Sequence, residues 1–148
     1  MCFEIKKMQP QDAKGMAEIE RQVFSQPWSE QGFLSALQSP DTLYLIVWKD
    51  GRIIGYCGFL QSFEEADVTN VVVKEEWRGR GVGRRMLKEL MDQGKKRGVE
   101  RYTLEVRTGN TAAIKLYENL GFESVGIRKD FYEFPREDAL IMLSLIHI

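Results

Sequence analysis

The stretch that most constrains how this chain can fold is Val68 to Leu90, VTNVVVKEEWRGRGVGRRMLKEL. The β-branched run Val71, Val72, Val73 reads as a buried strand, and it breaks at Lys74, Glu75 and Glu76. Arg78-Gly79-Arg80-Gly81-Val82-Gly83-Arg84 follows, and the apolar spacing Val82, Met86, Leu87, Leu90, Met91 is that of an amphipathic helix. A strand, a glycine-rich loop and a helix in that order build an anion site. The first amides of a helix are unpaired and the positive end of its macrodipole lies there, while glycines let a ligand approach the backbone and accept positive φ. The competing reading is a tight strand-to-helix turn with solvated arginines.

Two phosphate motifs are excluded. A Walker loop needs Lys followed by Ser or Thr after its last glycine, and here Arg84 and Arg85 follow Gly83. A dinucleotide fingerprint needs a glycine where Arg84 stands, within a repeated βαβ pattern that the chain lacks. What remains is Arg-x-x-Gly-x-Gly at Arg78, Gly81 and Gly83. It resembles the acetyl-CoA pyrophosphate loop of the GNAT superfamily of N-acetyltransferases.

At 148 residues with 43% hydrophobic content, the chain is expected to form one domain, residues 1–148, with a real core. A net charge of −1 argues against a general nucleic-acid binder, but the charges are unevenly placed. Lys74 to Arg101 holds ten basic and five acidic residues, which leaves eleven basic against seventeen acidic elsewhere. Basicity around the glycine loop suits a polyphosphate ligand; a solvated helix face accounts for Lys95, Lys96 and Arg97 equally well. Cys2 and Cys57 match no metal-ligand spacing, so a reduced cytoplasmic protein is expected, with neither cysteine catalytic and no metal. The N-terminus has no apolar run of signal-peptide length, and no stretch approaches the ~20 apolar residues of a membrane span. The single histidine, His147, lies in the terminal SLIHI, which disfavours a His-cluster metal site or a Ser-His triad. Residues 144–148 are apolar without pattern and read as a tail that need not be ordered.

In order along the chain, Phe3 to Met8 alternates as a first strand. Asp12 fits the N-cap of a helix whose stripe is Met16, Ile19 and Val23, ending near Pro27. Ser29 caps a second short helix with Phe33, Leu34 and Leu37 inward, stopped at Pro40. Trp28, at the junction, is either a core anchor or one wall of a substrate groove. Thr42–Lys49 and Arg52–Gln61 form a hairpin about Asp50-Gly51, and Val68–Val73 returns beside the second of these strands after an acidic turn at 63–67. The glycine-loop helix runs to about Arg97 and ends at Gly98; Arg101–Arg107 is the next strand. Asn110 caps a short helix with Ala113, Leu116, Tyr117 and Leu120 inward, and strands near Glu123–Asp130 and Asp138–Leu145 close the chain around a loop at 132–137. The order β-α-α-β-β-β-α-β-α-β-β predicts an α/β (α+β) fold with a mixed, mainly antiparallel sheet and helices on both faces. One βαβ crossover makes the strands flanking the glycine-loop helix parallel neighbours.

Joining an amine to an acyl thioester needs a base for the amine, a donor for the oxyanion and a proton for the departing thiolate. In RYTLEVR, alternation puts Tyr102, Leu104 and Val106 on one face and Thr103, Glu105 and Arg107 on the other. Glu105, a carboxylate inside an interior strand, is the candidate base; its structural alternative is an ion pair with Arg107 or a lysine of the same face. Tyr117 is the candidate acid, with a hydrogen-bonded core tyrosine as its alternative. Asn110 reads first as a cap.

Beyond the loop, FSQPWSEQGF, TNVVV, LEVRTGNTAAIKLYENLGF and REDALIM together resemble the bacterial ribosomal-protein alanine N-acetyltransferases of the RimI type. The likeness covers nearly the whole chain and is weakest over Thr42 to Gln61. It implies acetyl-CoA as co-substrate and the N-terminal peptide of a small-subunit ribosomal protein as acceptor, in a monomer or weak dimer that binds neither nucleic acid nor membrane directly. It also implies that Glu105 is the general base and Tyr117 the acid that protonates coenzyme A. Acetyl-CoA contacts are implied at Val71, Val72, Val73, at Arg78, Gly79, Arg80, Gly81, Val82, Gly83, Arg84, and at Asn110. The chain departs from the family pattern at Phe131, beside Tyr132, where a second tyrosine is usual. Transfer to a lysine or a small-molecule amine, or acyl-CoA binding without catalysis, are the competing functions.

Overall fold

The structure, a computed structural model, describes residues 2–145. Ile146, His147 and Ile148 of the expected tail, and the reading of His147, lie outside the described residues. Ser144 and Leu145, placed in the tail by the sequence, belong to the last strand, where Ser144 is buried and pairs with Tyr102.

The strands are β1 (Glu4–Lys7), β2 (Thr42–Lys49), β3 (Arg52–Ser62), β4 (Glu65–Val73), β5 (Arg101–Arg107), β6 (Glu123–Glu133) and β7 (Arg136–Leu145). The helices are α1 (Ala13–Val23), α2 (Glu30–Gln38), α3 (Val82–Lys96) and α4 (Thr111–Asn119). All seven strands join one sheet in the order β1-β2-β3-β4-β5-β7-β6, antiparallel except where β4 meets β5. This is the mixed fold that the element order predicts. Two apolar layers cover the faces. Met16, Ile19 and Phe33 of α1 and α2 pack on Tyr44, Ile46, Tyr56 and Val72, while Val82, Met86, Leu87 and Leu90 of α3 pack on Leu45, Cys57, Phe59 and Tyr102.

Local chemistry explains most element ends. Ser29 Oγ accepts the Gly32 N–H at 3.0 Å and starts α2. Asp12 does not cap α1 as expected: its carboxylate accepts the Gln9 N–H at 2.7 Å, closing the short 3-10 turn Pro10–Asp12 that precedes the helix. Val23, expected on the buried stripe, is exposed because α1 ends there. β4 begins at Glu65, inside the expected acidic turn, because Phe63, at φ 55°, and Glu64 close a two-residue turn between the paired residues Ser62 and Glu65. β6 and β7 likewise extend into the expected loop and leave only a tight turn at Phe134-Pro135.

Two irregularities shape the open end of the sheet. Gly58 faces Asn70 while Phe59 faces Val68, so Thr69 is an extra residue, a bulge, in β4. Before it, Ala66 and Val68 point to the α3–α4 core; beyond it Val71 and Val73 do so, and Val72 turns to the α1–α2 core. In β6, Arg128 faces Ala139 and Tyr132 faces Glu137, so a longer bulge bends that strand.

Candidate active site

The site opens where β4 and β5 separate. Their parallel pairing covers only Glu65–Asp67 against Arg101–Thr103. Beyond that point β4 stays on β3 and β5 stays on β7, as far as Val73 and Arg107 respectively. Between them lies a cleft of about 430 Å³, floored by Val68–Val71 and Leu104–Arg107, with Asn110 and Tyr117 from the α4 side. Its mouth is formed by Glu20, Phe24–Gln26 and Trp28 on one lip and Phe131 and Tyr132 on the other.

Separation leaves one edge of β4 unpaired. The Lys74 N–H donates to the Ile54 carbonyl at 2.8 Å, which makes Lys74/Ile54 and Val72/Tyr56 the hydrogen-bonded pairs of this ladder. By alternation, the backbone groups of Val71 and Val73 face the gap. The Val73 carbonyl accepts Arg78 Nε–H there at 2.9 Å. The side chain of Val72 points away from the gap into the α1–α2 core, so its part in any site is limited to backbone.

At the end of β4 stands the glycine loop. Gly79 and Gly81 take φ 75° and 84°, and nothing lies within 4 Å of where a Cβ would be, so they are required for conformation and not for space. Gly83 is different: a Cβ there would meet Leu116 Cδ2 at 3.1 Å, so its smallness lets α3 pack on α4. Val82 buries its side chain in the core, whereas Arg78, Arg80 and Arg84 are exposed around the loop, Arg80 lying over the Trp77 ring at 5.0 Å. The residues expected at the site thus form two groups. Glu105, Tyr117, Asn110 and Val71 share the cleft, and 78–84 form a cradle at the end of the same strand.

Glu105 alternates with buried Leu104 and Val106 as expected, but its own side chain is exposed on the cleft floor. Arg107, one of the ion-pair partners considered for it, is engaged elsewhere. Arg107 Nη1 donates to the Pro135 carbonyl at 2.8 Å and pairs with Glu137 at 3.3 Å, and the guanidinium stacks on Tyr132 at 4.3 Å. The β6–β7 turn folds over Arg107 and draws it away. Glu105 instead receives Arg128 Nη1 at 3.4 Å on both oxygens, from the bent part of β6.

Tyr117 belongs to the core and also lines the cleft. It is nearly buried, edge-on to Phe122 with centroids 5.9 Å apart, and it still reaches the cleft. Gly121 at φ 95° ends α4 so that the Phe122 N–H returns to the Tyr117 carbonyl at 3.0 Å, which fixes the helix end that carries the phenol. Burial pushes the phenol pKa well above its ordinary value, so the group is protonated throughout the neutral range. Asn110 Oδ1 accepts the Ala113 N–H at 3.2 Å and caps α4.

Trp28 keeps features of both readings: it is exposed on the cleft lip, and its ring leans on the core residue Phe33 at 5.3 Å. Ser25 Oγ–H donates to the Phe134 carbonyl at 2.5 Å and joins the two lips directly. One side chain of the site escaped the sequence reading. Glu20 lies on the α1 stripe, four residues after Met16, and a carboxylate on an otherwise apolar stripe is the signal that would have found it. Cys57 faces inward, where burial pushes its thiol up in pKa and it donates to the Met86 carbonyl at 3.7 Å.

A sheet parted at one strand pair, with a glycine cradle at the end of one strand and a carboxylate and a phenol in the gap, defines an acyltransferase. The family model described as the acetyltransferase (GNAT) family matches residues 13–122, and the chain belongs to that family. It is 36% identical over 140 residues to the [ribosomal protein bS18]-alanine N-acetyltransferase of Escherichia coli (strain K12), covering 93% of this chain and 94% of that one. It is 39% identical over 137 residues to the N-alpha-acetyltransferase RimI of Mycobacterium tuberculosis, covering 88% and 85%. The crystal structure of the ribosomal-protein-S18-alanine N-acetyltransferase from Escherichia coli matches with a TM-score of 0.90 at 34% identity, covering 99% of this chain and 96% of that chain.

Proposed function

We propose that the protein transfers the acetyl group of acetyl-CoA to the α-amine of an N-terminal alanine on a small-subunit ribosomal protein, in the cytoplasm. The observation that carries this reading is that Glu105 and Tyr117, from different elements, line one cleft at the open edge of β4. The names of the relatives support the acceptor.

The residues fit the co-substrate, which supplies the acyl thioester. The Val71 carbonyl and the Val73 N–H, on the open edge of β4, pair with its amide arm as another strand would. The amides from Gly79 to Gly83 and the N-terminus of α3 hold its pyrophosphate, with Arg80 and Arg84 adding charge. Glu105 takes the proton of the incoming ammonium, directly or through water, and its exposure on the cleft floor suits both routes. The Val71 N–H is the donor for the developing oxyanion. Tyr117, kept protonated by burial, gives its proton to the departing thiolate. Attack is direct, since neither cysteine lines the cleft.

The deciding experiment measures coenzyme A release with a ribosomal-protein peptide beginning in alanine, against the same peptide blocked at its α-amine. Release only from the free peptide is expected. Equal release from lysine-bearing peptides blocked at the α-amine would reassign the acceptor.

A further inference from the structure

Helix α1 buries a carboxylate where its stripe calls for a hydrophobe. Glu20 is 2% exposed, between the buried Met16 and Ile19 and the lip residues Phe24 to Trp28. Burying a charge is costly unless it is paired. Its two oxygens accept one bond each from neutral donors, the Tyr56 O–H at 2.5 Å and the Trp28 N–H at 3.0 Å. Burial and Glu20 itself both push the Tyr56 phenol up in pKa, so Tyr56 remains the donor.

Other carboxylates around the cleft each have a cation. Glu105 has Arg128 at 3.4 Å, and Glu137, which holds the hairpin over the cleft, has Arg107 at 3.3 Å. Among the described residues no lysine or arginine comes within ion-pair distance of Glu20. Glu20 nevertheless lines the cleft, on the wall across from β5. Glu20 thus lines the cleft with two neutral donors and, among the described residues, no cation.

We infer that Glu20 is the counter-charge for the acceptor amine, drawing the protonated α-ammonium into the cleft and holding it beside Glu105. This rests on the acetyl-transfer reading. A carboxylate in a poorly solvated wall acts on a cation several ångström away, so the small exposed area is no obstacle. Glu105 then removes the proton, while both oxygens of Glu20 are already taken by Tyr56 and Trp28. Two carboxylates divide the work: one attracts the cation and the other deprotonates it.

The test is calorimetric binding of two peptides to the protein saturated with coenzyme A, one beginning in alanine and one the desamino analogue with hydrogen in place of the α-ammonium. Wild type should prefer the ammonium peptide by about tenfold or more. Glu20→Gln keeps the volume and removes the charge; its amide oxygen accepts the Trp28 N–H while its amide nitrogen meets the Tyr56 oxygen, and Glu20→Gln combined with Tyr56→Phe removes the phenol proton that would otherwise lose its acceptor. In either variant the preference should fall to near one, while Glu20→Asp should keep most of it. A preference unchanged in Glu20→Gln, or both peptides weakened equally, overturns the inference. Coenzyme A release from acetyl-CoA in parallel samples reads the acetyl-transfer reading separately. Loss of release with every amine sinks that reading, whereas release with no charge-dependent preference sinks only this one.

Discussion

At the scale of single residues, Glu105 and Tyr117 differ in how their surroundings prepare them. Glu105 is open to water and to Arg128, so its role depends on position, and Glu105→Gln keeps the position while removing the basicity. General base assistance contributes about 10²–10⁴-fold, so turnover at saturating acceptor should fall by ~100-fold or more with acetyl-CoA affinity unchanged. Steady-state kinetics at several fixed acceptor concentrations checks this, and wild-type turnover would remove Glu105 from the chemistry. Tyr117 is prepared by burial, which holds its proton. Tyr117→Phe preserves the edge contact with Phe122, so a loss of rate would come from the missing hydroxyl. The informative comparison is acetyl-CoA against an acetyl arylthioester, whose more acidic thiol needs less help to depart. The variant should lose ~100-fold with the first and much less with the second; equal losses would make Tyr117 a packing residue.

At the scale of elements, the start of α3 was legible because glycines, arginines and an apolar 3.6-residue period are all local signals. The pairing of β2 with β3 was legible for the same reason, through Asp50-Gly51. The bulge at Thr69 was not, because a β-branched run reads alike with or without an extra residue, yet it decides that Val71 and not Val72 faces the α3–α4 side. The partner of Glu105 was illegible too: Arg128 reaches it only through bulges in β6, and register between distant strands leaves no local trace. The cradle yields a prediction at this scale. Gly81 is the N-cap of α3 at φ 84°, where an L-residue costs ~1–2 kcal/mol. Gly81→Ala should shift the first turn and raise KM for acetyl-CoA ~10-fold, leaving turnover at saturation close to wild type. A lowered turnover with unchanged KM would detach the cradle from pyrophosphate binding.

For the whole molecule, the phenols tie the two apolar layers to one alkaline limit. Tyr44 and Tyr56 belong to the α1–α2 core, Tyr102 and Tyr117 to the α3–α4 core, and Tyr132 to the hairpin over the cleft. These are all five tyrosines of the chain, and burial raises the pKa of each. A phenol ionises at about pH 10 in an unfolded chain. Below that value both states hold the proton and the stability is fully present. As pH climbs through 10, the unfolded chain releases protons that the folded chain retains, so each phenol withdraws stability until its folded pKa is passed. Because the affected groups lie on both faces of one sheet, their ionisation should be coupled to global unfolding. Absorbance at about 295 nm and far-ultraviolet circular dichroism, followed from about pH 8 to about pH 12, should change together in one steep transition above pH ~10. Tyr56→Phe should move that transition upward relative to its own neutral stability, since one of the strongest contributors is gone. Smooth titration of the phenols near pH 10 with the dichroism intact would show that the two cores do not hold them protonated.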